Sequence, residues 1–329
     1  MNQVKKLKPV FIGGSQRNGT TLLGSLLGTS VESVVTPESQ FVVDLWKDAF
    51  RSNQEILSKQ LIFKRLKKNF RFHLWESPIP NISNYKEEMF SSKEYVAFLN
   101  DLIQLYALKT NQENSTHWID HTPTHIQYGL ILSKLFPESK FIHLIRDPRA
   151  VAASIIDRDW GPNNVKDASK LWAESIGYGC ALQQSIPDRV LVIYYEDLLL
   201  STEPVLKEVC DFIGIEYASN MLGGTGFKLP EYTKEQHDLV GKSIDSSRID
   251  GWKEKLTASE IYEIEDRLLS LMTIHGYEVC QEAKPSKESI KEILTKEIRK
   301  FKKNIDRFLT KKKKKRYKKQ LANEARKRF

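Results

Sequence analysis

The residues from Gly13 to Thr21, GGSQRNGTT, bring paired glycines, one cation and two threonine hydroxyls into nine consecutive positions. The apolar run Val10–Ile12 precedes them and reads as a buried strand. Thr20–Gly28 (TTLLGSLLG) follows and reads as a helix. A strand, a glycine loop and a helix together aim backbone N–H groups and a positive helix end at a phosphate-like anion. Against the phosphate-loop pattern G-x-x-x-x-G-K-[ST], Gly14, Gly19 and Thr21 match, but Thr20 stands where the lysine belongs. In a nucleoside-triphosphate enzyme that lysine serves the outer phosphates and the next hydroxyl serves magnesium. A chain that keeps the cradle and drops the lysine is expected to hold an anion with another leaving group, with Arg17 supplying the cation from inside the loop.

A second anion site is expected at Arg146-Asp147-Pro148-Arg149-Ala150-Val151-Ala152-Ala153-Ser154. Arg146 leaves the end of a strand, and Ser154 follows eight positions later on a helix, so the two can grip one phosphate. In an open parallel sheet, ligands collect at the carboxyl ends of the strands. His117, His121 and His125 are spaced by four, which suggests a metal-binding helix face. Pro123 interrupts them and Trp118-Ile119 reads as strand, so no metal site is expected.

The elements that must position these residues follow from periodicity. Strands are expected at Val31–Thr36, His117–Asp120, Lys140–Arg146 and Arg189–Tyr195, besides the first. Between them lie amphipathic helices: a helical stretch over 39–75, one from a Ser91/Glu94 capping box to Lys109, and others near 165–186, Pro204–Ile213 and Thr257–His275. Residues 40–115 read as a helical insertion. Short apolar strands alternating with helices give an α/β fold: a P-loop-like open parallel sheet with helices on both faces.

The net charge of +9 conceals an asymmetry. Residues 284–329 hold 20 Lys/Arg against 5 Asp/Glu, while the rest holds 31 against 37. We therefore divide the chain into a domain over 1–283 and a basic helical extension over 284–329. In the extension, Ile290, Ile293/Leu294, Ile298, Phe301, Ile305 and Phe308/Leu309 follow helical spacing, and Lys311–Lys319 is a basic run. The apolar face is expected to pack on the body or on a partner helix. The run is expected to be solvated or to meet an anionic membrane surface or a polyanion; nucleic acid is not expected. The three cysteines are scattered, there is no apolar run of 18 residues, and the amino terminus passes directly into the first strand. These features predict a cytoplasmic protein with at most a peripheral membrane contact.

Together the two anion motifs resemble those of the sulfotransferase family, which moves a sulfuryl group from 3′-phosphoadenosine 5′-phosphosulfate (PAPS) to a hydroxyl or amine. Ile12–Leu22 resembles the family's 5′-phosphosulfate loop, with Asn18 a departure from its usual R-S-G-T-T, and Phe141–Ser154 resembles its 3′-phosphate motif. Pro37-Glu38-Ser39, Asp120-His121-Thr122-Pro123, Phe136–Phe141, Tyr195-Glu196-Asp197-Leu198 and Gly251-Trp252-Lys253 extend the likeness over roughly residues 8–280, in the style of the protein-tyrosine and bacterial carbohydrate-type members. The resemblance implies that Gly14, Asn18, Gly19, Thr20 and Thr21 bind the phosphosulfate, that Arg17 stabilises charge on the bridging oxygen, and that Arg146 and Ser154 hold the 3′-phosphate. Tyr195 and Arg248 are implied nucleotide contacts. Glu38 stands where relatives place a catalytic glutamate and is the expected general base. His121 replaces a lysine common before Thr-Pro; it is expected to donate to the sulfuryl group, to act as base in place of Glu38, or to satisfy backbone at a strand end. The implied function is PAPS-dependent transfer without a metal, a carbohydrate being one candidate acceptor. The alternatives are a P-loop kinase-like phosphotransferase and a non-catalytic, nucleotide-regulated protein bound to a polyanion or membrane.

Overall fold

The computed structural model describes residues 6–51, 56–230, 245–280 and 289–328. The expected boundary at 283/284 lies outside the described residues, as do Lys318 and Lys319 as side chains and residues 231–244.

Among the described residues there are seven strands: β1 (Lys8–Gly14), β2 (Ser33–Thr36), β3 (Ile56–Ser58), β4 (Met89–Ser91), β5 (His117–Asp120), β6 (Lys140–Ile145) and β7 (Val190–Tyr194). Five form the central sheet in the order β2-β5-β1-β6-β7, with β2, β5, β1 and β6 paired in parallel. This is an α/β fold with helices around a parallel sheet. The strands are buried along nearly their whole length, as the near-continuous apolar runs of β1 and β6 require when both faces are covered.

The helices are α1 (Thr20–Leu27), α2 (Gln40–Arg51), α3 (Lys59–Lys68), α4 (Phe70–His73), α5 (Ser92–Lys109), α6 (Gly129–Leu135), α7 (Pro148–Ile155), α8 (Val165–Ser185), α9 (Tyr195–Leu200), α10 (Thr202–Ile213), α11 (Ala258–Ile274) and α12 (Ile290–Arg328). The predicted Ser91/Glu94 box caps α5, and a second box, Thr257/Glu260, caps α11. The stretch expected to be helical over 39–75 is broken: β3 interrupts it and pairs antiparallel with β4. Three-residue strands carry no readable period and form only when a distant partner supplies the hydrogen bonds.

The described residues cluster into two compact units. One comprises residues up to 14, 19–144 and 178–244; the other comprises 15–18, 145–177 and 245–329. The first holds the central sheet and an aromatic core in which Phe11 packs against Trp118, Phe136 and Phe141, with ring centroids 5.4–5.9 Å apart along that series. In the second, α7 and α11 are joined by Arg149. Its guanidinium reaches Asp147 at 2.7 Å, Glu265 at 2.6 Å and the Glu278 carbonyl at 3.0 Å, and its carbon lies 4.2 Å above the Trp252 ring.

Helix α12 belongs to the second unit and corrects one expectation. Its apolar residues are not packed on the body; Ile290, Ile298, Phe301 and Phe308 are 58–78% exposed. Its cations make the contact instead. Lys303 donates to the carbonyls of Ile156 at 2.8 Å, Gly161 at 3.0 Å and Pro162, and Arg299 pairs with Glu260 at 2.6 Å. Unpaired carbonyls at the end of α7 and in the turn after it can be satisfied by an ammonium but not by a methyl group, and this selects the face that docks.

Candidate active site

In the first unit, Glu38, His121 and Gly14 leave the carboxyl ends of neighbouring parallel strands β2, β5 and β1. Thr36 and Asp120 are register partners, so the residues that follow them emerge side by side. Buried polar bonds hold this edge. The Ser39 N–H donates to Thr122 Oγ1 at 2.8 Å, the Ser39 hydroxyl donates to the buried Asp120 carboxylate, and Asp120 accepts from the Thr122 N–H at 2.9 Å.

Glu38 is largely buried. Gln40 Nε2 donates to its Oε2 at 2.7 Å, and the Arg71 guanidinium lies 3.2 Å from the same oxygen. Glu38, Arg71 and His121, together with Leu74 and Phe227, line a small cleft. Arg71 was missed in the sequence. It lies on α4 within the basic stretch KRLKKNFRFH, where nothing distinguishes it from its solvated neighbours.

His121 is 2% exposed. Its Nδ1 lies 3.5 Å from Thr21 Oγ1, and its Nε2 is buried without a hydrogen-bond partner among the described residues. Burial pushes its pKa below the ordinary histidine value, against the smaller opposing pull of Glu38 and Asp120, so the ring is held neutral. The three histidines spaced by four do not converge: His117 contacts Thr116 Oγ1 at 2.8 Å, and His125 faces Asp120 at 3.4 Å. Among the described residues no cluster with metal-ligand character is found.

His117, His125 and His275 are also lowered by burial. Unfolding restores their ordinary value of about 6.5, so the unfolded chain binds more protons as pH falls through that value. Stability is therefore expected to hold above about pH 6.5 and to decline below it. Urea midpoints measured at successive pH values check this; a midpoint that is flat or rises on acidification contradicts it.

The loop between β1 and α1 has two unusual backbone positions. Gly19 has φ +101°, and a Cβ there would lie 2.6 Å from the Tyr195 ring. Arg17 adopts φ 67°, a left-handed conformation uncommon for a side-chain-bearing residue and typical of strained functional loops. Tyr195, expected at the end of the fifth strand, instead opens α9 and is buried beneath Gly19.

In the second unit, Arg17, Arg146, Ser154 and Arg248 meet. Arg17 Nε donates to Ser154 Oγ at 3.1 Å, and Arg146 donates to the carbonyls of Arg17 at 2.9 Å and Arg248 at 3.2 Å. The Arg146 carbonyl in turn accepts from the Trp172 indole at 2.8 Å. The Arg248 side chain points to Asp245 at 3.7 Å and contributes its backbone to the cluster. Arg17 and Ser154 thus stand within one hydrogen bond of each other, and Arg146 ties the backbones of Arg17 and Arg248 together.

This geometry accords with the comparisons. A family model described as "Sulfotransferase family" matches residues 9–219. A "Putative protein-tyrosine sulfotransferase" of Caenorhabditis briggsae is 23% identical over 243 residues, which is 72% of this chain and 71% of that protein. "Protein-tyrosine sulfotransferase 2" of Gallus gallus is 24% identical over 264 residues, 75% of this chain and 64% of that protein. The sulfotransferase domain of a Synechococcus olefin synthase superposes with a TM-score of 0.60 at 21% identity, covering 84% of this chain and 97% of that one, and so shares the fold. The chain belongs to the sulfotransferase family, a family of sulfuryl-transferring enzymes.

The same relatives correct the expected compartment. Likeness to animal protein-tyrosine sulfotransferases conflicts with a cytoplasmic assignment, which is withdrawn. Unpaired cysteines do not by themselves fix a compartment. Among the described residues no helix is long and apolar enough to cross a membrane.

Proposed function

We propose that the protein transfers a sulfuryl group from PAPS to an acceptor hydroxyl or amine, with Glu38 as general base. The observation that carries this reading is the Glu38 carboxylate at the wall of a cleft it shares with neutral His121. The acceptor oxygen attacks sulfur in line, and the bond from sulfur to the bridging oxygen breaks. The nucleotide leaves with that electron pair as 3′,5′-ADP (PAP), while Glu38 takes the acceptor proton. By resemblance, Gly14, Asn18, Gly19, Thr20 and Thr21 bind the 5′-phosphosulfate, Arg17 stabilises charge on the bridging oxygen, and Arg146 and Ser154 hold the 3′-phosphate. Tyr195 and Arg248 shape the nucleotide pocket, Tyr195 by supporting Gly19. His121 is a hydrogen-bond donor to the sulfuryl oxygens through Nε2.

Leu74, Phe227 and Leu229 give the cleft apolar walls, which suit a phenol better than a sugar. The protein-tyrosine sulfotransferases among the relatives support the same choice, so a protein tyrosine hydroxyl is the favoured acceptor and a carbohydrate hydroxyl the second. The basic tail takes an anionic partner through Lys311–Lys319, a membrane surface or a polyanion.

Calorimetry with PAP and with ATP tests the class. PAP is expected to bind tightly without magnesium, and ATP weakly. A preference for magnesium-ATP would overturn the assignment in favour of a kinase-like phosphotransferase.

A further inference from the structure

Helix α12 is docked in an unusual sense. Lys296, Arg299, Lys303 and Arg307 recur every three to four residues and face the second unit. Lys296 donates to Ser259 Oγ at 3.1 Å, and Arg307 Nε donates to the Asp159 carbonyl at 2.7 Å, beside the Arg299 and Lys303 contacts. Lys303 is 4% exposed. Phe301 and Ile305 each lie two residues from Lys303, which at 3.6 residues per turn is about the opposite side of the helix. The apolar stripe therefore points away from the unit: Ile290, Leu294, Ile298, Phe301, Ile305 and Phe308 are 45–78% exposed. The stripe spans the twenty residues from Ile290 to Leu309, about 30 Å of helix.

Its flanks are cationic. Lys300 and Lys302 border Phe301 and are exposed, Lys300 lying 3.8 Å from the exposed Glu297, and the exposed Lys311–Arg316 run, which holds no acid, continues past Phe308. Lys312 already lies 4.4 Å over the Phe308 ring. A stripe of this size left open to water needs an occupant.

We propose that α12 lies on an anionic membrane surface, its apolar stripe in the headgroup–acyl boundary and its flanking cations at the headgroups. This deepens the anionic-partner reading of the tail and is independent of the catalytic reading. Two features select the membrane. A polyanion in water would use the cations and leave the stripe exposed, whereas an anionic bilayer uses both. A parallel second copy of the helix would cover the stripe but would bring Lys300, Lys302 and Lys311–Lys315 against their own like, and an antiparallel copy would still bring Lys300 and Lys302 together at the middle of the stripe. The inward anchors fit the same purpose, because they fix the helix on the folded unit while its apolar face stays outward.

The test is co-sedimentation of the full chain with vesicles of phosphatidylcholine containing phosphatidylserine, against vesicles of phosphatidylcholine alone. Binding is expected to the anionic vesicles only and to weaken as salt is raised. Phe301→Ser with Phe308→Ser, and separately Lys311→Gln with Lys313→Gln and Arg316→Gln, are each expected to weaken it by about tenfold or more. All five positions are exposed, so circular dichroism and melting temperature should not move. Heparin retention is measured on the same variants. For the unsubstituted chain, measured alongside them, retention on heparin without vesicle binding overturns the membrane inference and leaves the anionic partner standing; failure to bind either overturns both. Vesicle binding that survives the phenylalanine substitutions, or a dimer that those substitutions dissociate, also overturns it.

Discussion

Glu38→Gln is expected to lower sulfuryl transfer by about 10²–10⁴-fold while leaving PAP binding unchanged. The substitution keeps the size and most of the hydrogen bonding of the side chain, so Gln40 retains a partner for its amide. It removes the negative charge and with it the ability to take a proton. Binding should survive because the residues assigned to the nucleotide do not include Glu38. Arg71 loses an ionic partner, but it is 43% exposed as a side chain and remains solvated, so a folding defect is not expected. The measurement is single-turnover transfer from PAPS beside calorimetric PAP affinity. Near-normal turnover would remove Glu38 from the chemistry and move the base to His121, the other titratable group on the cleft wall. A parallel loss of transfer and PAP affinity would mean that Glu38 organises the nucleotide site instead.

Arg149→Ala is expected to give the largest loss of stability, about 3–5 kcal/mol, because it strands buried charge. Arg149 is 5% exposed and Glu265 2%, and the two are joined at 2.6 Å. Without the guanidinium, Glu265 loses the cation 2.6 Å away while keeping the Cys280 N–H at 3.0 Å, and α7 loses this tie to α11. Arg149→Lys should recover only part of the loss, since one ammonium cannot serve Asp147, Glu265 and the Glu278 carbonyl in their different directions. Replacing the pair together, Arg149→Met with Glu265→Leu, should cost less than Arg149→Ala alone, because no carboxylate is then left desolvated at Glu265. Urea unfolding reads all three. A double substitution as damaging as the single one would show that the contribution comes from packing against Trp252 rather than from the charges.

Much of the fold was legible because its signals are local. The alternation of apolar strands and amphipathic helices placed every strand of the central sheet to within a few residues, and the Ser91/Glu94 cap was written in residue type. The loop with threonine in place of lysine, taken with Arg146 and Ser154, carried the family. The pair β3–β4 was not legible, since three residues have no period and each strand needs the other. Nor was the partner of Glu38, because Arg71 is one cation among many in its stretch and only its position at the cleft sets it apart.

By itself the sequence determined the order of the central-sheet strands, the glycine loop between β1 and α1 and the basic character of the tail, all of which depend on neighbours a few residues away. Tertiary structure alone decided which side chains meet. Arg17 and Ser154, assigned to different phosphates, share a hydrogen bond across 137 positions of chain. The face of α12 that docks was settled the same way. Its period allowed either face inward, and the carbonyls of Ile156, Gly161 and Pro162 selected the charged one, because buried acceptors require donors and apolar side chains have none.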